Sequence, residues 1–191
     1  MKSQIGIYKR IQNTYHFTDL EMRRLDFTLT VFFYEISKFI ILAILFSAVG
    51  LFQEYAISIL VLMPIRIFSG GIHFNHYISC FLFTSVFFMV PVLLRSVSPD
   101  GPVRLGCMAI CLLVTYVIGP VTSQKRPPIT YKRYTLFRLI STGLLLVDLF
   151  LSEVFRVLPY ENICFWVIIL QTIQLICARL ARKGDIYEKN Q

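Results

Sequence analysis

The chain has 191 residues, of which 56% are hydrophobic and 16% are charged, and its formal net charge is +8. Soluble domains are usually about 45–50% apolar and about 25% charged, so this composition excludes an ordinary soluble domain. The basic residues stand at the ends of long apolar blocks, which favours membrane topology signals over a nucleic-acid-binding surface.

The N-terminal segment precedes the first long apolar block and carries two helix signals. Residues 4–16 have apolar side chains at helical spacing, which predicts a short amphipathic helix in the inner membrane interface. These side chains are Ile5, Tyr8, Ile11 and Tyr15. Thr18 and Glu21 then match a capping box, so a new helix is predicted to begin there and to continue into the first span. We expect no cleaved secretory signal in this segment.

Six apolar blocks follow, each close to the roughly 20 residues that a membrane-spanning helix needs. The predicted spans are 27–49, 53–69, 77–95, 103–120, 134–153 and 160–178. Fifteen of the 19 basic residues fall on one side of these spans and three on the other, so both termini are predicted to be cytoplasmic. We therefore predict an all-α membrane protein with one polytopic domain over residues 1–191. Its predicted parts are an interfacial segment 1–26, a six-helix bundle 27–178 and a cytoplasmic tail 179–191.

The five cysteines do not form the pattern of a disulfide framework, because their number is odd and four of them lie well inside apolar blocks. Those four are expected to behave as small apolar residues. The cysteines are Cys80, Cys107, Cys111, Cys164 and Cys177. Cys80 differs from the others because it follows a dense polar cluster at a membrane boundary.

His73 and Cys80 are the candidate chemical pair of that cluster, in which the imidazole would take the thiol proton and create a nucleophilic thiolate. On a straight helix the two residues would lie about 10.5 Å apart along the axis, too far for contact. Gly70 and Gly71 can adopt backbone conformations that are closed to other residues. We therefore predict a helix break that folds His73 back toward Cys80, beside a polar cavity open to the cytoplasm.

Two other interpretations of this cluster stay open. His73, His76 and Cys80 share one helical face and could bind zinc, although the segment lacks a fourth ligand. The pair is also compatible with a loop histidine and a cysteine on an apolar face. The sequence gives Asn75 no role.

Charged residues inside the predicted spans are costly and are usually paired or functional. Glu35 and Lys38 lie three residues apart in the first span, where they either pair with each other or leave Glu35 to orient His73. Arg66 ends the second span and either reaches the interface or binds a substrate carboxylate. A small-solute transporter that uses Glu35, Lys38 and Asp148 is the alternative function, and a membrane subunit without chemistry is the third. Transporters often contain internal repeats, which this sequence does not show.

The linker between the fourth and fifth spans is rich in proline and basic residues. Its basic residues include Lys125 and Arg126, between Pro120 and Pro127. One interpretation is a topology determinant. The other is a docking surface for an acidic or amphipathic peptide on the cytoplasmic side.

The combined pattern resembles the accessory gene regulator B family of Gram-positive bacteria. The resemblance rests on the mutual spacing of Arg66, Gly70-Gly71, His73 and Cys80, on the later basic proline loop and on the six-span layout. It covers essentially the whole chain.

The resemblance implies a membrane cysteine endopeptidase that acts in quorum sensing. Its substrate would be a signalling propeptide with an amphipathic helix and an acidic tail, which is cleaved through a cysteine thioester and cyclised to a thiolactone or lactone. His73 and Cys80 would be the catalytic dyad, supported by Arg66 and Gly70-Gly71. The resemblance also implies a homodimer in the bacterial cell membrane, without a cofactor or a metal.

Overall fold

The described part of the chain is almost entirely helical. The computed structural model describes residues 18–72, 76–121, 129–154, 160–181 and 187–188. The helices are α1 (Asp19–Ala48), α2 (Phe52–Ser69), α3 (Tyr77–Leu93), α4 (Gly101–Ile118), α5 (Tyr131–Val154) and α6 (Tyr160–Ala181). A single 3-10 turn, Leu94–Ser96, extends α3. Two short strands, β1 (Ile129–Thr130) and β2 (Tyr187–Glu188), pair in parallel. The predicted all-α class is confirmed.

Among the described residues, five helices are long and apolar enough to cross a membrane. Their spans are Phe52–Ser69, Tyr77–Ser96, Gly101–Ile118, Tyr131–Ser152 and Tyr160–Ala181. They agree with the second to sixth predicted spans within three residues, and the largest differences are the start of α5 at residue 131 instead of 134 and the end of α6 at residue 181 instead of 178. The first predicted span, 27–49, lies inside α1, and its crossing of the membrane stays a prediction.

The chain forms two compact units, Met1–Leu45 and Phe46–Gln191. In the first unit, the Thr18 backbone N–H donates to Glu21 Oε2 over 2.9 Å, and the Glu21 N–H donates to Thr18 Oγ1 over 3.4 Å. The predicted capping box and helix start are therefore confirmed. Further along α1, Lys38 Nζ donates to Glu35 Oε1 over 2.6 Å, so the predicted ion pair forms. The predicted amphipathic helix over 4–16 lies outside the described residues.

In the second unit, α6 is the central helix, because it packs against α2, α3, α4 and α5. The interior of this bundle contains small polar side chains among its apolar ones, as is usual where transmembrane helices pack closely. They include Ser58, Thr84, Thr115, Ser141 and Thr172. Large apolar side chains face outward, and they include Leu60, Leu93, Leu105, Leu113 and Phe150. An exposed apolar surface of this kind favours contact with lipid over contact with water.

Ion pairs and polar hydrogen bonds close one end of the bundle. Arg95 Nη1 lies 2.9 Å from Glu54 Oε1, and Arg104 Nη1 lies 2.8 Å from Glu161 Oε1. Asn162 Nδ2 also donates to the Arg95 backbone carbonyl over 2.9 Å. The residues in these contacts flank the first, third and fifth linkers. The charge distribution predicts that these three linkers lie on the same side of the membrane. Which side they occupy stays a prediction.

The two ion pairs differ in burial, and their stability effects are expected to differ accordingly. Arg104→Leu is expected to destabilise the protein by about 3–5 kcal/mol, because Glu161 then stays buried without that partner. The Arg95 side chain is 39% exposed, against 7% for Arg104. The two carboxylates are similarly buried, with 14% of Glu54 and 12% of Glu161 exposed, so the expected difference comes from the arginines. Solvent reaches Arg95 and weakens its ion pair, and Arg95→Leu is therefore expected to cost only about 1 kcal/mol. Thermal unfolding in detergent measures both, and equal losses of Tm would contradict the prediction.

Candidate active site

A break separates the helix that carries Arg66 from the helix that carries Cys80. The first of these helices, α2, ends at Ser69, and Gly70 follows with a φ of +77°. The next helix begins at Tyr77, after an extended residue at position 76. No continuous helix therefore runs from Arg66 to Cys80, and the predicted break is confirmed.

Gly70 is required at this break for two separate reasons. Its φ of +77° lies in the left-handed region, which side chains disfavour. Its backbone also pairs with that of Val121, whose N–H donates to the Ser69 carbonyl over 2.9 Å. A Cβ at position 70 would lie 2.0 Å from the Val121 carbonyl oxygen. The chain that leaves α4 therefore lies directly against the end of α2.

Two buried glutamines of α6 bind the residues at the break. Gln171 Nε2 donates to Ser69 Oγ and to the Gly70 carbonyl, each over 3.1 Å. Gln174 Oε1 accepts a hydrogen bond from Arg66 Nη1 over 2.9 Å. The sequence interpretation missed both glutamines. The available signal was two amides three residues apart in an apolar span, where polar side chains usually face the bundle interior.

Arg66 turns toward the bundle and joins three parts of the structure. It stands in the last turn of α2, its Nη1 binds Gln174 of α6, and its Nη2 donates to the Ile72 carbonyl over 3.5 Å. A planar guanidinium can make such separate contacts in fixed directions. In this structure Arg66 therefore positions the segment after the glycines. A role in binding a substrate carboxylate stays a prediction.

Cys80 is buried in the first turn of α3, with 7% of its surface exposed. Its backbone N–H donates to the His76 carbonyl over 3.1 Å, and its carbonyl accepts from Thr84 Oγ1 over 2.8 Å. All five cysteines lie in the described residues, and none of them forms a disulfide. The candidate nucleophile is therefore held on a regular helix immediately after the break.

Several predicted site residues lie outside the described residues. His73 falls in the gap 73–75, and Lys125 and Arg126 fall in the gap 122–128. The contact between His73 and Cys80 therefore stays a prediction. The orienting role of Glu35 also stays a prediction.

A cavity of about 180 Å³ lies between α3 and α6. Its lining residues are Ile72, Phe83, Val86, Phe87, Val90, Leu170, Ile173, Gln174 and Cys177. The lining is apolar apart from the Gln174 amide and the Cys177 thiol. The expected polar cavity open to the cytoplasm stays a prediction. The cavity touches the segment after the glycines through Ile72.

Comparisons with known proteins identify similar sequences. The sequence profile described as accessory gene regulator B matches residues 6–175. A protein of Clostridium beijerinckii described as AgrB-like is 24% identical over 189 residues, which cover 98% of this chain and 92% of the relative. No solved structure matches the chain.

Proposed function

We propose that this chain, which belongs to the accessory gene regulator B family, is a multi-pass cysteine endopeptidase of the bacterial cell membrane. Its proposed substrate is a quorum-sensing propeptide with an amphipathic helix and an acidic tail. The observation that carries this proposal is the break between Ser69 and Tyr77, which leaves Cys80 in the first turn of α3. His73 belongs to the chain segment between the two helices.

The first half of the proposed reaction is cleavage through a covalent intermediate. The His73 imidazole takes the proton of Cys80 Sγ, and the thiolate attacks the carbonyl carbon of the scissile peptide bond. The carbon–nitrogen bond then breaks, and His73 returns the proton to the departing amine of the acidic tail. The remaining propeptide stays bound to Cys80 as a thioester.

The second half is ring closure. A thiol within the propeptide attacks the thioester carbonyl, and Cys80 Sγ leaves and regains a proton. The product is a thiolactone, or a lactone where the attacking group is a hydroxyl. Exchange of one thioester for another needs no ATP, but it must be faster than attack by water. The apolar cavity beside α3 supports this step because it disfavours water near the intermediate.

Charge complementarity supports an acidic partner on the predicted cytoplasmic side. The chain has a net charge of +8, and most of its basic residues belong to segments predicted there. We assign Lys125 and Arg126 to docking of the acidic tail. We also propose that the protein acts as a homodimer.

The thioester provides a direct experimental test of this function. A propeptide whose ring-forming thiol or hydroxyl is removed by substitution with alanine cannot cyclise, so its acyl group is expected to accumulate on Cys80. Intact-mass spectrometry would show an adduct on the chain, and hydroxylamine would remove it. Cys107→Ala, which changes a cysteine of α4, is the matched control and should still form the adduct. Release of the tail without any hydroxylamine-sensitive adduct would contradict the proposed intermediate.

A further inference from the structure

The hydrogen bond with Arg66 determines which end of the Gln174 amide group is the oxygen and which is the nitrogen. Its Oε1 accepts from Arg66 Nη1, and an arginine can only donate hydrogen bonds. The oxygen is therefore the amide atom that contacts Arg66, and Nε2 is the other one. That nitrogen is buried and has no hydrogen-bond acceptor among the described residues. The protein thus holds a donor in its interior at a cost to its stability.

Gly71 lies beside this donor and has no side chain that would contact it. A Cβ at position 71 would lie 3.3 Å from Gln174 Nε2 and 3.8 Å from Arg66 Cζ. Any side chain at that position would therefore lie over the amide and the guanidinium. The absence of a side chain at position 71 leaves space for another group beside Nε2.

The cavity that Gln174 lines begins close to the candidate nucleophile. Phe83 and Phe87 line it, and they stand three and seven residues after Cys80 on the same side of α3. Three residues of helix correspond to a rise of about 4.5 Å. An apolar cavity of about 150 Å³ is large enough to take up benzene. A volume of about 180 Å³ therefore has room for one leucine or phenylalanine side chain.

We infer that this cavity is a substrate subsite and that Gln174 is a substrate-binding residue. Gln174 Nε2 donates to a backbone carbonyl of the propeptide, and the apolar side chain next to the scissile bond enters the cavity. A peptide residue supplies both an oxygen for the donor and an apolar group for the walls. A lipid acyl chain would fill the walls but leave the donor without an acceptor. The inference rests on the proposed function, which it deepens.

Gln174→Glu tests the donor without removing the support of Arg66, because a carboxylate still accepts from the guanidinium but has no N–H. We expect kcat/KM for tail release to fall roughly tenfold, the effect of losing one hydrogen bond to the substrate. Thermal unfolding in detergent should stay close to that of the wild type.

Val90→Phe tests the cavity, since Val90 lines it. The matched control is Val117→Phe, the same change on the exposed face of α4. The substrates are two propeptides that carry leucine or alanine next to the scissile bond. We expect the wild type and Val117→Phe to prefer leucine by roughly tenfold or more, and Val90→Phe to lose this preference.

The outcomes separate this inference from the function on which it rests. Tail release by Cys80→Ala at the wild-type rate would overturn the proposed function. If Cys80→Ala is inactive but Gln174→Glu and Val90→Phe keep the wild-type kcat/KM and leucine preference, only the subsite is wrong.

Discussion

Cys80→Ala is expected to abolish release of the acidic tail, because no other group in the proposed mechanism can form the thioester. His73→Ala is expected to reduce tail release by roughly 10²–10⁴-fold, the usual contribution of a general acid–base group. Both variants are expected to reach the membrane in normal amounts. Mass spectrometry of membranes from cells that co-express the propeptide measures the released tail.

A matched cysteine substitution is the control for this experiment. Cys107→Ala changes a thiol on α4 and is expected to leave tail release unchanged. If Cys80→Ala or His73→Ala releases the tail at the rate of Cys107→Ala, the assignment of the dyad is wrong. An intermediate activity of Cys80→Ser would agree with the dyad, since a hydroxyl is a weaker nucleophile than a thiolate.

Gly70→Ala is expected to abolish processing and to destabilise the protein strongly. A φ of +77° combined with a ψ of −153° is adopted almost only by glycine, and it costs a residue with a side chain about 1–3 kcal/mol. The new Cβ would in addition lie 2.0 Å from the Val121 carbonyl oxygen, so the backbone after α4 or the end of α2 would have to move. Thermal unfolding in detergent and tail release measure the two consequences.

Gly50→Ala is the control that separates these two effects. Gly50 has a similar φ of +73°, but a Cβ there would meet nothing within 4 Å. We therefore expect Gly50→Ala to lower stability only by the conformational cost and to leave processing intact. Equal stability and activity of the Gly70 and Gly50 variants would show that the close contact with Val121 does not matter.

Much of the fold could be predicted because the bilayer fixes the length of a spanning helix. The apolar blocks gave α2 to α6 within a few residues, since each block has to cover the same hydrocarbon thickness. Short residue patterns predicted two further features of the fold. The capping box predicted the start of α1, and the glycine pair predicted the break after α2.

The contacts that build the candidate site could not be predicted in the same way. The distance from Arg66 to Gln174 along the chain is 108 residues, and no local pattern indicates which partner a distant amide selects. The pairing of Gly70 with Val121 is a backbone contact, so neither residue type signals it. Such contacts depend on how the helices pack, which hydropathy does not determine.

The anchoring of Val121 limits how a bound tail can be placed. Its N–H holds the chain to Ser69, beside the break, and Lys125 follows four residues later. Four residues reach at most about 14 Å when fully extended. Lys125 is therefore tethered to the neighbourhood of the break whatever shape the linker adopts. If the acidic tail binds Lys125 as proposed, its first carboxylates must also lie near the break. The length of the segment from Val121 to Lys125 then limits how many residues can separate those carboxylates from the scissile bond.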